Sequence, residues 1–170
     1  METRMCIRAE NQSQWDNSVI TSIEIKAPKE KVYKVVYQEN PRPKLCPKIK
    51  NSTVVFDDGI VQEFYFDIVK EDGGMRRIRT ISRCDGDTIE FFQPAPPQYL
   101  KGYFVKWIFE EVSMNCCKII AENLWKMNEY TYTKFPADNE MSTEEKLRQH
   151  IILYSNSALE AIREKAVASI

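Results

Sequence analysis

Residues 142–166 read STEEKLRQHIILYSNSALEAIREKA, and this stretch decides how the rest of the chain is read. Ser142 followed three residues later by Glu145 makes a capping box. The serine oxygen accepts one free backbone N–H of the first turn, and the glutamate reaches back to another. Beyond it Leu147, Ile151, Tyr154, Ala158, Ile162 and Lys165/Ala166 recur at three- and four-residue spacing, which gathers them into one apolar stripe. The pattern predicts a helix of about 25 residues, roughly 37 Å long at ~1.5 Å per residue. A helix of that length spans a whole sheet, and its stripe needs such a partner to be buried.

The partner is read upstream. Val19-Ile20-Thr21-Ser22-Ile23-Glu24-Ile25 is a strand rich in β-branched residues. Pro28 suits the first position of a helix, where its missing N–H would be unpaired in any case. Val32, Tyr33, Val35 and Val36 give that helix an apolar side through Tyr37. Pro41, Pro43 and Pro47 forbid a long regular helix over 40–48, so a loop with one short helical turn is expected there. Six strand-like runs follow, at 51–57, 60–69, 75–84, 87–93, 103–112 and 117–127. Asp57-Asp58-Gly59, Asp72-Gly73-Gly74 and Asp85-Gly86-Asp87 punctuate them as tight turns. Turns this short imply consecutive antiparallel hairpins, since parallel strands need long crossovers. Gln93-Pro94-Ala95-Pro96-Pro97 cannot stay in a sheet interior and is expected as a loop at a cavity rim.

These elements predict an α+β domain: a seven-stranded curved antiparallel sheet wrapped around the long C-terminal helix. A bent sheet around a helix leaves an internal cavity where side chains do not meet. Unfilled space is costly, which is the physical reason to expect a ligand. The 170 residues suit one domain. Residues 1–17 read as a loosely ordered polar segment and 18–170 as a single domain.

Composition narrows the function. Hydrophobic residues make up 43% and charged residues 29%, an ordinary globular balance. The net charge of −1 lacks the basic surplus of a nucleic-acid binder. METRMCIRAENQ at the N-terminus has no apolar run that would make a secretory signal. No stretch approaches the eighteen or so apolar residues of a membrane span, so a cytoplasmic protein with no membrane partner is expected. The five cysteines are odd in number and lack C-x-x-C spacing, which suits reduced thiols rather than zinc or disulfides. There is no G-x-S-x-G elbow, Walker loop or G-x-G-x-x-G. Neither a metal nor an organic cofactor is implied.

Ser22-Ile23-Glu24-Ile25-Lys26-Ala27-Pro28, followed by a helix with Val32, resembles the opening of the Bet v 1-like, or START-like, helix-grip superfamily. Pro43-Lys44-Leu45 resembles its short W-P-x-L segment, with Arg42 in place of the aromatic residue. Ser82-Arg83, Gly102 and Trp107 look most like the polyketide aromatase/cyclases. The resemblance spans residues 19–166. It implies an enzyme of polyketide, and so antibiotic, biosynthesis. Its reaction would be regiospecific aldol cyclisation and dehydration of a poly-β-ketoacyl chain, carried by an acyl carrier protein. Arg83 aligns with the family's catalytic cavity arginine, and His150 with a helix histidine of the tetracenomycin-type cyclase. Gln93 stands where a second cavity arginine is found, and Arg77 and Arg79 where pocket tryptophans are found. Asn123 aligns with a polar cavity position. The same fold also serves non-catalytic carriers of lipids, quinones or isoprenoids, which is the alternative reading.

The residues themselves leave choices open. Arg77, Arg79, Ile81 and Arg83 project from one face of their strand. That face is either a guanidinium-lined cavity wall or a solvated basic stripe with Ile78 and Thr80 inward. The resemblance points Arg83 inward, where it would stabilise oxyanions formed during cyclisation, with Arg79 as a substrate contact. His150 is either a proton shuttle in the cavity or an edge residue in water. Phe64 and Phe66, Phe91 and Gln93, and Tyr103 and Trp107 alternate on three strands, and with Asn123 and Tyr154 they are candidate lining. Plain core packing accounts for the same alternation.

Overall fold

The structure is a computed structural model in which residues 15–39, 49–70 and 72–168 are described. Seven strands form one sheet: β1 (Asn17–Ile25), β2 (Ile49–Asp57), β3 (Val61–Val69), β4 (Met75–Cys84), β5 (Thr88–Phe92), β6 (Leu100–Ser113) and β7 (Cys116–Met127). The spatial order is β1-β7-β6-β5-β4-β3-β2, and every neighbouring pair is antiparallel. Among the described residues there are also three helices: α1 (Lys29–Glu39), α2 (Glu129–Lys134) and α3 (Thr143–Ala168). The expected proline-rich loop over 40–48, with the Pro43-Lys44-Leu45 segment, lies outside the described residues. So do residues 1–14 of the N-terminal segment, while Asn17 already belongs to β1.

The hairpin turns form for local reasons. Asp58 Oδ1 accepts from the backbone N–H groups of Ile60 (2.9 Å) and Val61 (2.7 Å). Asp85 Oδ1 does the same for Asp87 (3.0 Å) and Thr88 (2.6 Å). Each aspartate thereby replaces a backbone turn with its own side chain. Gly59 (φ 88°) and Gly86 (φ 91°) supply the left-handed conformation that these turns require.

Paired strand residues share a face, so the hairpin registers fix one concave inner face. Across the sheet it carries Gln62, Phe64 and Phe66 opposite Ser82, Thr80 and Ile78, then Ile89 and Phe91 opposite Trp107 and Val105. Tyr103, Val105 and Trp107 face Trp125, Asn123 and Ala121, and these meet Asn17, Val19 and Thr21.

Helix α3 lies across β1 and β7 and against α1. It buries Thr143, Leu147, Ile151, Ser155, Leu159, Ile162 and Ala166. The stripe differs from the sequence reading at its centre. Tyr154 was expected inward; it is 49% exposed, and Ser155 takes the buried place at 4%. The cause is close approach: Ser155 Oγ lies 2.6 Å from Thr21 Oγ1 on β1, a gap that no phenol ring would fit. The apolar contacts divide there. One cluster joins Leu159, Ile162 and Ala166 to Val32, Val36, Ile89, Ile119 and neighbours. The other joins Leu147 and Ile151 to Val19, Leu100 and Trp125. Burying side chains such as Leu159 and Leu147 contributes about 1.5–3 kcal/mol each.

Helix α2 was not foreseen. Its signal is Asn128, whose Oδ1 accepts from Thr131 N (3.2 Å) while Thr131 Oγ1 accepts from Asn128 N (3.0 Å). The same hydroxyl donates to the Tyr99 carbonyl, tying this short helix to the sheet. As the capping box requires, Ser142 Oγ accepts from Glu145 N at 3.2 Å.

Just before α3, Asp138 accepts from Glu140 N, Met141 N and Lys146 Nζ. The Lys146 bond first, then the two backbone bonds, hold its carboxyl at about 2, below the ordinary 3.8. A depressed carboxyl pKa contributes stability that is present above the unfolded value and lost as pH falls through the folded one. Carboxyl NMR titration should therefore find Asp138 near pH 2 in the folded chain. Lys146→Met should move that midpoint upward, and an unchanged midpoint would contradict the arrangement.

Candidate functional site

The inner face is covered unevenly. Beneath α3 the inward side chains of β7 are sealed: Ile119, Ala121, Asn123 and Trp125 are all at or below 1% exposure. Towards β3, β4 and β5 the inward residues Phe66, Ile68, Arg76, Phe91 and Gln93 are only half-buried. The helix covers one side of the concave sheet, while on the other side Phe64, Ile78, Thr80 and Ser82 are buried and only the residues just named keep partial exposure. Aromatic rings supply much of this inner face. Phe64 and Phe66 meet edge-on with centroids 5.0 Å apart, and Phe91 and Trp107 do so at 5.2 Å. Edge-to-face pairs of this kind add rigidity to an apolar wall.

Polar atoms interrupt that wall. Thr80 Oγ1, Gln93 Oε1 and Trp107 Nε1 are buried and have no hydrogen-bond partner. Thr80 is 2% and Trp107 7% exposed. The register pairs Ile81 with Phe92, so Gln93, one residue on, stands beside Thr80. Each unpaired buried polar group costs about 1–3 kcal/mol.

A second polar group is satisfied. Tyr103 Oη donates to Asn123 Oδ1 (2.9 Å), and Asn123 Nδ2 donates to Ser155 Oγ (3.3 Å), which in turn meets Thr21. Burial pushes the Tyr103 phenol well above its usual range, so it is a neutral hydrogen-bond donor.

Phe64, Phe66, Phe91, Gln93, Tyr103, Trp107 and Asn123 thus all lie on the inner face, on the sides that their alternation indicated. The arginines do not. Arg83 is exposed on the opposite face of β4, beside Tyr33, Tyr37 and Ile60 in an outer groove. Arg79 is exposed too and donates through Nε to Glu63 at 2.7 Å. Arg77 forks onto Asp67 at 2.7 and 3.0 Å. The reason is the β3–β4 register, which sets Arg77 opposite Asp67 and Arg79 opposite Tyr65 on the outer face. The residues turned inward on β4 are Arg76, Ile78, Thr80, Ser82 and Cys84.

His150 is likewise not on the inner face. It is exposed on α3, with Nε2 3.4 Å from Tyr99 Oη and its ring against Phe135 at 5.3 Å. Its place on the solvent side of the Leu147–Ile151 stripe accounts for this. Tyr154, off the stripe, is the remaining correction. Among the described residues no group of three or more histidines, cysteines or acids could hold a metal. No described helix is long and apolar enough to cross a membrane.

A curved antiparallel sheet gripping a long terminal helix is the helix-grip fold. Among solved structures the chain is similar to the di-domain ARO/CYC StfQ from the steffimycin biosynthetic pathway. That match has 17% identity and a TM-score of 0.77, covering 96% of this chain and 56% of StfQ. It is also similar to the Zhui aromatase/cyclase from Streptomyces sp. R1128, at 12% identity and a TM-score of 0.70, over 88% and 93% of the two chains. A START superfamily protein from Mycobacterium smegmatis matches at 15% identity and a TM-score of 0.62, over 87% and 97%. At 12–17% identity these are likenesses of fold, and the chain spans about half the length of the di-domain proteins. No family model and no curated protein sequence matches the chain.

Proposed function

We propose that the chain binds an elongated hydrophobic small molecule bearing oxygen substituents, held in a hollow between α3 and β3–β6. The observation that carries this reading is the group of unpaired buried polar atoms, Thr80 Oγ1, Gln93 Oε1 and Trp107 Nε1, set in an aromatic wall. A purely apolar occupant would leave all three unsatisfied. A ketone or hydroxyl among them would accept from the indole N–H or donate to the amide oxygen.

Thr80→Val is the sharp test because it preserves shape and removes the unpaired hydroxyl. Without ligand the variant should be more stable, by about 1 kcal/mol, since an unsatisfied buried group is lost. Its affinity for a polyhydroxylated anthraquinone such as emodin, read by quenching of tryptophan emission, should fall by about tenfold. Arg83→Ala, on the outer face, should change neither quantity. If emodin shows no saturable binding to the parent chain, the reading is wrong.

A second reading is that binding leads to cyclisation, and the aromatase/cyclases among the solved structures of this fold favour it. The occupant would be a poly-β-ketoacyl chain delivered by an acyl carrier protein. The hollow would fold it, lowering the entropic part of the barrier. Thr80 and Trp107 would donate to oxygens that gain negative charge. Incubation with a carrier-bound poly-β-ketone distinguishes the readings. An enzyme changes the ring pattern of the products, whereas a carrier leaves the spontaneous mixture unaltered.

A further inference from the structure

The basic residues of β4 divide between its two faces. Arg77 and Arg79 face out and are paired with Asp67 and Glu63. Arg76 faces in, opposite Ile68 at the far end of the inner face. Its Nη2 donates to the Pro96 carbonyl at 2.6 Å, within the proline loop that joins β5 to β6.

None of the ion pairs among the described residues includes Arg76. A guanidinium carries five N–H donors, and the Pro96 carbonyl takes one of them. A half-buried cation without a counter-ion among the described residues has lost part of its hydration and gains one carbonyl in return. Of the groups that could complete it, a carboxylate matches its planar fork best.

We infer that the occupant of the hollow is an acid whose carboxylate docks on Arg76 at the rim, with its body along Phe66, Ile78 and Phe91. The inference rests on the small-molecule reading above and adds the charge and length of the ligand. Arg76 lies four residues from Thr80 on the same face, about 13 Å at ~3.3 Å per residue. The ligand is therefore long enough to hold its carboxylate on Arg76 and an oxygen substituent near Thr80 and Gln93.

Dodecanoate and dodecanol differ in the head group alone, and titration calorimetry at neutral pH measures both. The parent chain should bind the acid about tenfold more tightly than the alcohol, as a charge-assisted hydrogen bond requires. Arg76→Met should bring the two affinities together, and Arg83→Met should leave the tenfold ratio intact. Arg76→Gln gives the same comparison if the methionine variant does not fold. Equal affinities in the parent chain would overturn the inference while leaving the binding reading in place. So would a preference for the acid that survives both Arg76 substitutions. Binding of neither probe to the folded parent would remove the binding reading, and the inference with it.

Discussion

Trp125→Ala is expected to destabilise the chain by about 3–5 kcal/mol, the range for emptying a fully packed aromatic site. Trp125 is 1% exposed and closes the cluster formed by Val19, Leu100, Leu147 and Ile151. At ~2–4 °C per kcal/mol for a chain of this size, the melting temperature should fall by about 10 °C. Trp125→Phe separates packing from polarity. The indole Nε1 has no hydrogen-bond partner, so phenylalanine forfeits volume alone and should cost only about 1–2 kcal/mol. Thermal unfolding followed by circular dichroism gives both values. A similar loss for the two variants would mean that the indole N–H contributes an interaction not described here.

The second large effect belongs to Asn123. Its carbonyl oxygen accepts from Tyr103 and its amide donates to Ser155, all in the sealed region between β6, β7 and α3. Asn123→Ala would strand the Tyr103 hydroxyl and leave Ser155 with Thr21 alone. A stranded buried group costs about 1–3 kcal/mol and a lost bond about 1 kcal/mol, so a loss of about 3 kcal/mol is expected. A double-mutant cycle apportions it. In a Tyr103→Phe background the same substitution should cost about 1 kcal/mol less, because the stranded hydroxyl is already gone. Strict additivity would show that the two side chains do not interact in solution. Tyr103 lies on the inner face, so the pair also sets the orientation of one potential ligand contact.

Most of the architecture was legible in the sequence, because it rests on local signals. The Asp-Gly turns placed the hairpins β2–β3, β3–β4 and β4–β5, and strands read at 75–84 and 117–127 appear at Met75–Cys84 and Cys116–Met127. Alternation put Phe64, Phe66, Phe91, Tyr103 and Trp107 on the concave side, since each alternates with a polar or solvent-facing neighbour. β4 resisted the same treatment. MRRIRTISRC sets arginines on both faces, so hydrophobic contrast is weak, and the aromatase/cyclase resemblance tipped Arg83 inward. The deciding information was not in that strand. It lay in Glu63 and Asp67 across the turn, whose carboxylates take Arg79 and Arg77 to the outside. Ser155 was missed for a different reason. Helical periodicity ranks a tyrosine above a serine as a core residue, and nothing local announces that Thr21, far off in the chain, draws the helix close.

The hydroxyl contact between Thr21 and Ser155 falls between the two apolar clusters beneath α3. Each end of that helix is therefore secured by a separate store of burial free energy, so disrupting one end does not forfeit the contacts of the other. Amide exchange should reveal two protection levels along one continuous helix. The boundary would fall at the serine, and the end around Leu147 and Ile151 could breathe independently of its root.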